Sequence, residues 1–204
     1  MLHKLNESGY ISGFAKLLET FLNLFKGSSR TIEDLKHCIT SNDINAARAY
    51  KFLDIFIDVL DRYESYLAAE HAIDFNDMIG CAANTLNEGT VTRNFKYILI
   101  DEFQDISIVR ANLIKALLRN SNDTKLVVVG DDWQSIYRFS GSDISVMTKF
   151  DEYFGRHELN FLPETFRFND KIVSVSSRFL LRNSAQITKD IIARKSDCTK
   201  SVVL

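Results

Sequence analysis

The sequence predicts an α/β fold that contains a buried parallel sheet and a separate helical segment. Two short apolar runs support the sheet, Tyr97–Ile100 and Leu126–Val129. Nearly continuous apolar runs of this length are typical of strands that are buried in a parallel sheet. Between the runs, apolar residues recur at the spacing of one helical face: Ile106, Val109, Leu113 and Leu117. The order strand, helix, strand is that of two parallel strands joined by a crossover helix.

The segment before the first strand is expected to be helical. Its clearest pattern is an apolar stripe at steps of three and four residues, which indicates a helix face packed against a core. The stripe contains Leu53, Phe56, Leu60, Tyr63 and Leu67. We expect a helix cap at Ser41–Asp43 and a loop at Gly27–Ser29.

A third part begins near Leu159. A helix is predicted to start at Asn169 and Asp170, and Ile172, Val175 and Phe179 lie along one side of it. Too few residues follow to build a domain core, so this part is interpreted as the opening of a second domain.

The composition limits the class of protein. Of 204 residues, 46% are hydrophobic and 25% are charged, which is typical of a globular chain. The 25 basic and 27 acidic residues give a net charge of −2, which argues against binding nucleic acid through bulk charge but allows a local groove. Cys38, Cys81 and Cys198 are far apart, and no apolar run approaches the ~18 residues of a membrane span. We therefore expect a soluble, cytoplasmic protein that has no membrane partner.

Each predicted strand ends in acidic residues, Asp101–Glu102 after the first and Asp131–Asp132 after the second. In parallel sheets, chemistry gathers at the carboxyl ends of the strands. One carboxylate can hold Mg²⁺ beside phosphate oxygens, and the next can accept a proton from an attacking water. The alternative for an isolated Asp-Glu pair is a solvated loop.

The longer strings around these acids resemble the motifs of a known family. The string Ile98–Asp105 resembles the second motif of superfamily 1 helicases of the UvrD/Rep type, and Val128–Gly141 resembles the third. Leu162–Phe168 resembles the fourth motif, and Asp74–Ile79 resembles the segment that leads back into the motor domain. Trp133, together with the run from Thr165 to Asn169, is most similar to the helicase IV subgroup.

The resemblance implies a partial RecA-like (P-loop NTPase) parallel sheet with a helical insertion subdomain. Residues 1–92 are then mostly the helical insertion of the first motor, and residues 93–157 are the second half of that motor. Residues 158–204 are the start of the second motor. In this family ATP binds between the two motors.

The resemblance also implies roles for individual residues. Asp101 is expected to coordinate Mg²⁺, Glu102 to activate water and Gln134 to contact the γ-phosphate of ATP. Arg167 is expected to stabilise the transferring phosphate, and Phe166 to stack on adenine. The structural alternatives are a turn cap for Gln134, a surface ion pair for Arg167 and packing between domains for Phe166.

The segment of Tyr137, Arg138 and Phe139 is expected to contact single-stranded DNA or a duplex junction. Because Tyr137 and Phe139 alternate around Arg138, one ring is alternatively expected to face the core. Ser140 stands where many relatives have arginine, which fits the helicase IV subgroup.

The sequence departs from the family at the phosphate loop. None of its eight glycines is followed by lysine, although the family holds ATP with a Gly-Lys-Thr or Gly-Lys-Ser loop. We therefore expect a truncated gene product, an expressed segment or one piece of a split protein, inactive by itself and completed by missing helicase segments. The predicted function is part of an ATP-dependent 3′-to-5′ DNA helicase. The alternative is a catalytically inactive remnant or interaction module.

Overall fold

The computed structural model describes residues 10–39, 45–120, 123–184 and 186–196. Over these residues the chain forms an α/β structure with two small parallel sheets, which confirms the predicted fold class at this level. The helices are α1 (Tyr10–Ser28), α2 (Ile32–Cys38), α3 (Ala46–Ala69), α4 (Phe75–Asn87), α5 (Ile108–Arg119), α6 (Ser145–Thr148), α7 (Phe150–Phe154) and α8 (Asp170–Leu180). The strands are β1 (Tyr97–Ile100), β2 (Lys125–Val128), β3 (Glu164–Asn169) and β4 (Ile192–Lys195).

The helical part before β1 is confirmed, and its apolar stripe packs as predicted. Leu53 and Phe56 of α3 are buried. The Phe56 ring meets two rings of α1 edge to face, with ring centres 4.7 Å from Phe21 and 5.4 Å from Phe25. Edge-to-face contacts of this kind add stability beyond the area that they bury.

The end of α1 differs in part from the loop that the sequence predicts. The predicted loop at Gly27–Ser29 is wrong at its start, because α1 continues to Ser28 and buries Gly27. Ser29 then takes a left-handed φ of 55°. The predicted cap at Ser41–Asp43 lies outside the described residues. The next helix, α4, is capped by Asp74, whose Oδ1 accepts from the Asp77 amide at 2.9 Å.

One buried lysine joins three of these helices. Lys26 of α1 lies 2.6 Å from Glu64 of α3 and 2.7 and 2.8 Å from Asp74 and Asp77 at the start of α4. Its side chain is 7% exposed, and the ammonium also lies over the Tyr63 ring. Burial opposes the charge of Lys26, but its hydrogen bonds to the carboxylates outweigh that effect and raise its pKa. The ion pairs of Lys26 therefore join α1, α3 and the start of α4 at one point.

Strands β1 and β2 pair in parallel, with Ile100 opposite Val128. One face of this sheet covers the main core, which is formed by Phe103, Ile106, Ala111, Ile114 and Val146. The opposite face is exposed, and Leu99 on it retains 74% of its accessible surface. Among the described residues, the predicted burial of the sheet is therefore confirmed for one face only, because apolar residues occupy both faces but only one face is covered.

Helix α5 uses two faces rather than one. Ala111 and Ile114 pack against the sheet, whereas Ala116 packs with Ala83 and Leu86 of α4. Of the predicted stripe, Leu113 and Leu117 lie on the side towards α4, whereas Ile106 precedes the helix and packs in the main core. Small alanines let α5 fit between the sheet and α4.

The third part contains a second parallel pair, β3 and β4, with α8 between them. Asn169 caps α8 as predicted, since its Oδ1 accepts from the Ile172 amide at 3.0 Å. Val175 and Phe179 are exposed whereas Ile172 is half-buried, so the predicted apolar face of α8 is only partly covered by the described residues. No helix in the described ranges is long and apolar enough to cross a membrane.

We expect Lys26→Met to destabilise the chain by about 1.5–3 kcal/mol, the scale of hydrogen bonds to charged groups. The change leaves three carboxylates facing each other without a cation. Urea unfolding followed by far-UV circular dichroism measures the loss. Lys36→Met is the matched control, because its pair with Glu33 is exposed and is expected to contribute little to stability. Equal midpoints for the two variants would contradict a role for Lys26 in holding the helices.

Candidate functional site

The acidic ends of β1 and β2 lie side by side at one edge of the sheet. The Val129 amide donates to the Ile100 carbonyl at 2.8 Å, and the Phe103 amide donates back to the Val129 carbonyl at 2.9 Å. These bonds continue the pairing beyond the last residues of the strands. The chain after Ile100 and the chain after Val129 therefore leave the sheet as neighbours.

Asp101 and Glu102 form a tight turn directly after β1. The Glu102 amide donates to Oδ1 of Asp101 at 2.8 Å. Glu102 has a left-handed backbone with φ 50° and ψ 44°. A non-glycine residue in this region costs about 1–3 kcal/mol, and such conformations cluster at functional sites. Both side chains are exposed, so solvent and a ligand have access to the two carboxylates.

Gln104 connects this turn to the loop after β2. Its side chain is buried, with its Nε2 donating to Oε2 of Glu102 at 2.7 Å and its Oε1 accepting from the Asp131 amide at 2.9 Å. Gly130 allows this approach, because a Cβ there would lie 2.8 Å from Oε1 of Gln104 and 3.1 Å from the Phe103 nitrogen. Sequence reasoning gave Gln104 no role, since a neutral amide inside a motif has no charge or periodicity to mark it.

Gln134 completes the hydrogen-bonded line. It ends the 3₁₀ turn Asp132–Gln134, and its Nε2 donates to Oδ2 of Asp131 at 2.7 Å. Glu102, Gln104, Asp131 and Gln134 are thus linked from one strand end to the next. The turn-capping alternative for Gln134 has support, because its side chain binds Asp131, the residue before the turn, but the exposed amide can exchange this bond for a ligand.

Two carboxyl groups of the site have shifted pKa values. Burial of Asp131 would raise its pKa, but hydrogen bonds from Lys189 and Gln134 lower it below the usual range. Asp105 shifts the other way, because burial and then the nearby Glu102 charge raise its pKa. Oδ1 of Asp105 is buried without a hydrogen-bond partner among the described residues.

Asp101 fits Mg²⁺ because its carboxylate is exposed and lies at the end of a strand. Across the described ranges, no group of three or more His, Cys, Asp or Glu side chains is arranged to hold a metal ion. Mg²⁺ usually takes only one or two protein carboxylates and completes its shell with water and phosphate oxygens. An exposed aspartate at a strand end is compatible with that kind of site.

Tyr137, Arg138 and Phe139 lie on the surface close to Gln134. The rings of Tyr137 and Phe139 are 5.8 Å apart and inclined by 49°. They are 46% and 69% exposed, so the alternative in which one ring fills the core is wrong. The 3₁₀ turn Arg138–Ser140 ends at Gly141, whose φ of 96° favours glycine.

Phe166 and Arg167 are not brought to this site. Both lie exposed in β3, which belongs to the second sheet. Within the described part of the chain, no hydrogen bond or ion pair joins either side chain to Asp101, Glu102 or Gln134. The structure therefore unites the residues predicted at the ends of β1 and β2 and leaves those of β3 apart.

Sequence comparisons with known proteins identify the same helicase family that the motifs at the ends of β1 and β2 resemble. The family model of the UvrD/REP helicase N-terminal domain matches residues 6–155. DNA helicase IV of Escherichia coli (strain K12) is 41% identical over 154 residues, which cover 76% of this chain and 22% of that protein. ATP-dependent DNA helicase UvrD1 of Mycobacterium tuberculosis (strain ATCC 25618 / H37Rv) is 32% identical over 141 residues, which cover 64% of this chain and 18% of the relative.

A third relative is ATP-dependent DNA helicase PcrA of Bacillus subtilis (strain 168), at 27% identity over 167 residues, 79% of this chain and 22% of PcrA. The chain therefore spans about a fifth of the length of these relatives. The matched range contains β1, β2 and the linked residues from Asp101 to Gln134. On these grounds the chain belongs to the UvrD/REP helicase family, of which it contains part of the N-terminal domain.

Proposed function

We propose that this chain is a portion of an ATP-dependent DNA helicase that couples ATP hydrolysis to 3′-to-5′ movement on single-stranded DNA. The observation that carries the proposal is the hydrogen-bonded line from Glu102 through Gln104 and Asp131 to Gln134. This line runs along the carboxyl ends of two parallel strands, where such folds place their chemistry. The names of the relatives, DNA helicase IV and ATP-dependent DNA helicases UvrD1 and PcrA, support the same activity.

At the nucleotide, Glu102 is the proposed base that accepts a proton from the attacking water. Asp101 is the proposed Mg²⁺ ligand, and the ion would supply charge stabilisation to the phosphate oxygens. The Gln104 hydrogen bond fixes one oxygen of Glu102, so the base has a defined orientation. Because Gln104 also binds the Asp131 amide, the base and the loop of Gln134 are joined by hydrogen bonds.

Gln134 is the proposed contact to the γ-phosphate, and its exposed amide has the donor needed for it. Arg167 and Phe166 are the proposed contributions of the second motor, one to phosphate charge and the other to adenine stacking. Their place in the second sheet is compatible with a site that forms between two motors when these close on ATP. Closure of that kind completes catalytic sites in many enzymes.

The proposed DNA contacts are Tyr137, Arg138 and Phe139, with single strands or duplex junctions as the partner. Two exposed, adjacent rings offer a stacking platform for bases, which suits a chain whose overall charge is near zero. Tyr137 follows Gln134 by only three residues, so a change at the phosphate is transmitted over a short distance.

The proposed domain organisation follows the observed elements. Residues 1–92 are mostly the helical insertion of the first motor, residues 93–157 its second half and residues 158–204 the start of the second motor. Strand β1 begins at Tyr97 and β3 at Glu164, close to these limits. The two parallel pairs then represent parts of two RecA-like sheets, each completed by the missing helicase segments.

We expect the 204 residues alone to show no DNA-stimulated ATP turnover. They contain no glycine followed by lysine, and that pair is central to the loop that cradles the phosphates. A coupled ATPase assay with and without single-stranded DNA is the test. Turnover that is stimulated by DNA and disappears in the Glu102→Gln variant would overturn this expectation.

In a full-length helicase that contains these residues, Glu102→Gln is expected to retain ATP binding and to lose hydrolysis by roughly 10²–10⁴-fold. The amide oxygen can still accept the Gln104 hydrogen bond, so the change removes the base while keeping its position. Single-turnover hydrolysis and nucleotide titration measure the two effects. Glu88→Gln, at the exposed end of α4, is the control, and near-normal turnover of Glu102→Gln would assign the base to another residue.

Phe139→Ala in the same full-length protein is expected to weaken single-strand binding by roughly 5–150-fold, the scale of one lost base–aromatic stack. Because the ring is exposed, the melting temperature is expected to stay nearly unchanged. A fluorescence titration with labelled oligo-dT gives the affinity. The control Ile136→Ala removes exposed apolar surface without a ring and is expected to alter affinity by less than about twofold. Equal affinities for both variants would argue against stacking.

A further inference from the structure

A segment from the third part of the chain docks onto the loop after β2. The Ile187 amide donates to Oδ2 of Asp132 at 2.7 Å, and the Trp133 indole donates to the Ile187 carbonyl at 3.1 Å. Lys189 binds Oδ1 of Asp131 and lies 2.6 Å from Oδ1 of Asp132. The docked segment, residues 186–189, thus makes several directional contacts with the loop that leads to Gln134.

Lys189 is the charged centre of this contact. Its side chain is 13% exposed, and that of Asp132 is only 1% exposed. A buried carboxylate needs a cation or several hydrogen bonds to offset its lost hydration, and Lys189 supplies the cation here. Among the described residues, no other basic side chain pairs with Asp131 or Asp132. The ammonium also lies 4.9 Å from the centre of the Trp133 ring, a favourable cation–π distance.

Asp131 transmits this contact to Gln134. One of its carboxylate oxygens is bound by Lys189 and the other by the Gln134 amide at 2.7 Å. If Gln134 turns towards a ligand, Asp131 loses one of its two side-chain donors. The charge of Lys189 then keeps Asp131 ionised and in place, which makes exchange of the Gln134 amide less costly.

We propose that Lys189 is a positioning residue that ties Gln134, through Asp131, to the segment that begins the second motor. This inference rests on the proposed function, in which Gln134 contacts the γ-phosphate. Lys189 does not touch the reacting atoms. Its effect is to make the position of the Gln134 loop depend on residues 186–189. A displacement of that segment of the second motor therefore changes the position of the Gln134 loop in the first motor.

The docking is testable on the 204-residue chain, because Trp133 is its only tryptophan. In Lys189→Met, Asp132 loses its cation and the segment is expected to release the indole to water. We expect tryptophan emission at longer wavelength and stronger quenching by acrylamide, with unchanged far-UV circular dichroism. Lys171→Met, on the exposed side of α8, is the control and is expected to leave the emission unchanged. Unchanged emission in Lys189→Met overturns the proposal.

The coupling is tested in a full-length helicase that contains these residues. Lys189→Met is expected to lower the DNA-stimulated kcat about tenfold, the scale of one hydrogen bond to a charged group, while the KM for ATP stays near the wild-type value. Lys189→Arg, which keeps the charge, is expected to recover most of the stimulation. Lys189→Gln provides the same uncharged test if the methionine variant unfolds.

The outcomes separate this inference from the proposed function. A wild-type protein that is stimulated by DNA, with full stimulation retained in Lys189→Met, overturns the positioning role and leaves the helicase proposal standing. A full-length wild-type protein without DNA-stimulated turnover overturns the proposed function, and the positioning role falls with it. In that second case the fluorescence change still reports the docking of residues 186–189.

Discussion

The side chain of Gln104 is buried between two strand ends and makes one hydrogen bond to each of them. Its amide nitrogen binds Glu102, and its amide oxygen binds the backbone of Asp131. The contact requires a glycine at position 130, since any Cβ there would collide with the amide oxygen. An unpaired buried amide is costly, so either both bonds form or the turn after β1 rearranges. The relative position of Glu102 and Gln134 depends on this constraint.

The two acidic pairs next to Gln104 lie in different environments. Glu102 and Asp101 remain open to solvent, whereas Asp131 and Asp132 are held by Lys189 and by backbone amides. The first acidic pair is therefore free to meet a ligand, and the second serves as a junction between parts of the chain. Two acidic pairs that look alike at two strand ends thus have different physical environments and different proposed roles.

The burial of an apolar face depends on whether another element of the fold covers it. Both faces of β1 and β2 are apolar, yet only the face towards α5 is packed among the described residues. Helix α8 likewise has a correctly predicted start, and its apolar side is only partly covered among the described residues. Periodicity reports where apolar side chains lie on an element, but it does not report which element covers them.

The sequence by itself determined the α/β class, the two strands with their acidic ends, the apolar stripe of α3 and the Asn169 cap. These features depend on neighbours within a few residues, so the local order of residue types was sufficient. Only the tertiary structure decided that Gln104 reaches Asp131, that Lys189 pairs with Asp131 and Asp132, and that Lys26 joins α1, α3 and α4. Those partners are separated by tens of residues, and their pairing depends on how packed elements bring the chain together, which no local spacing encodes.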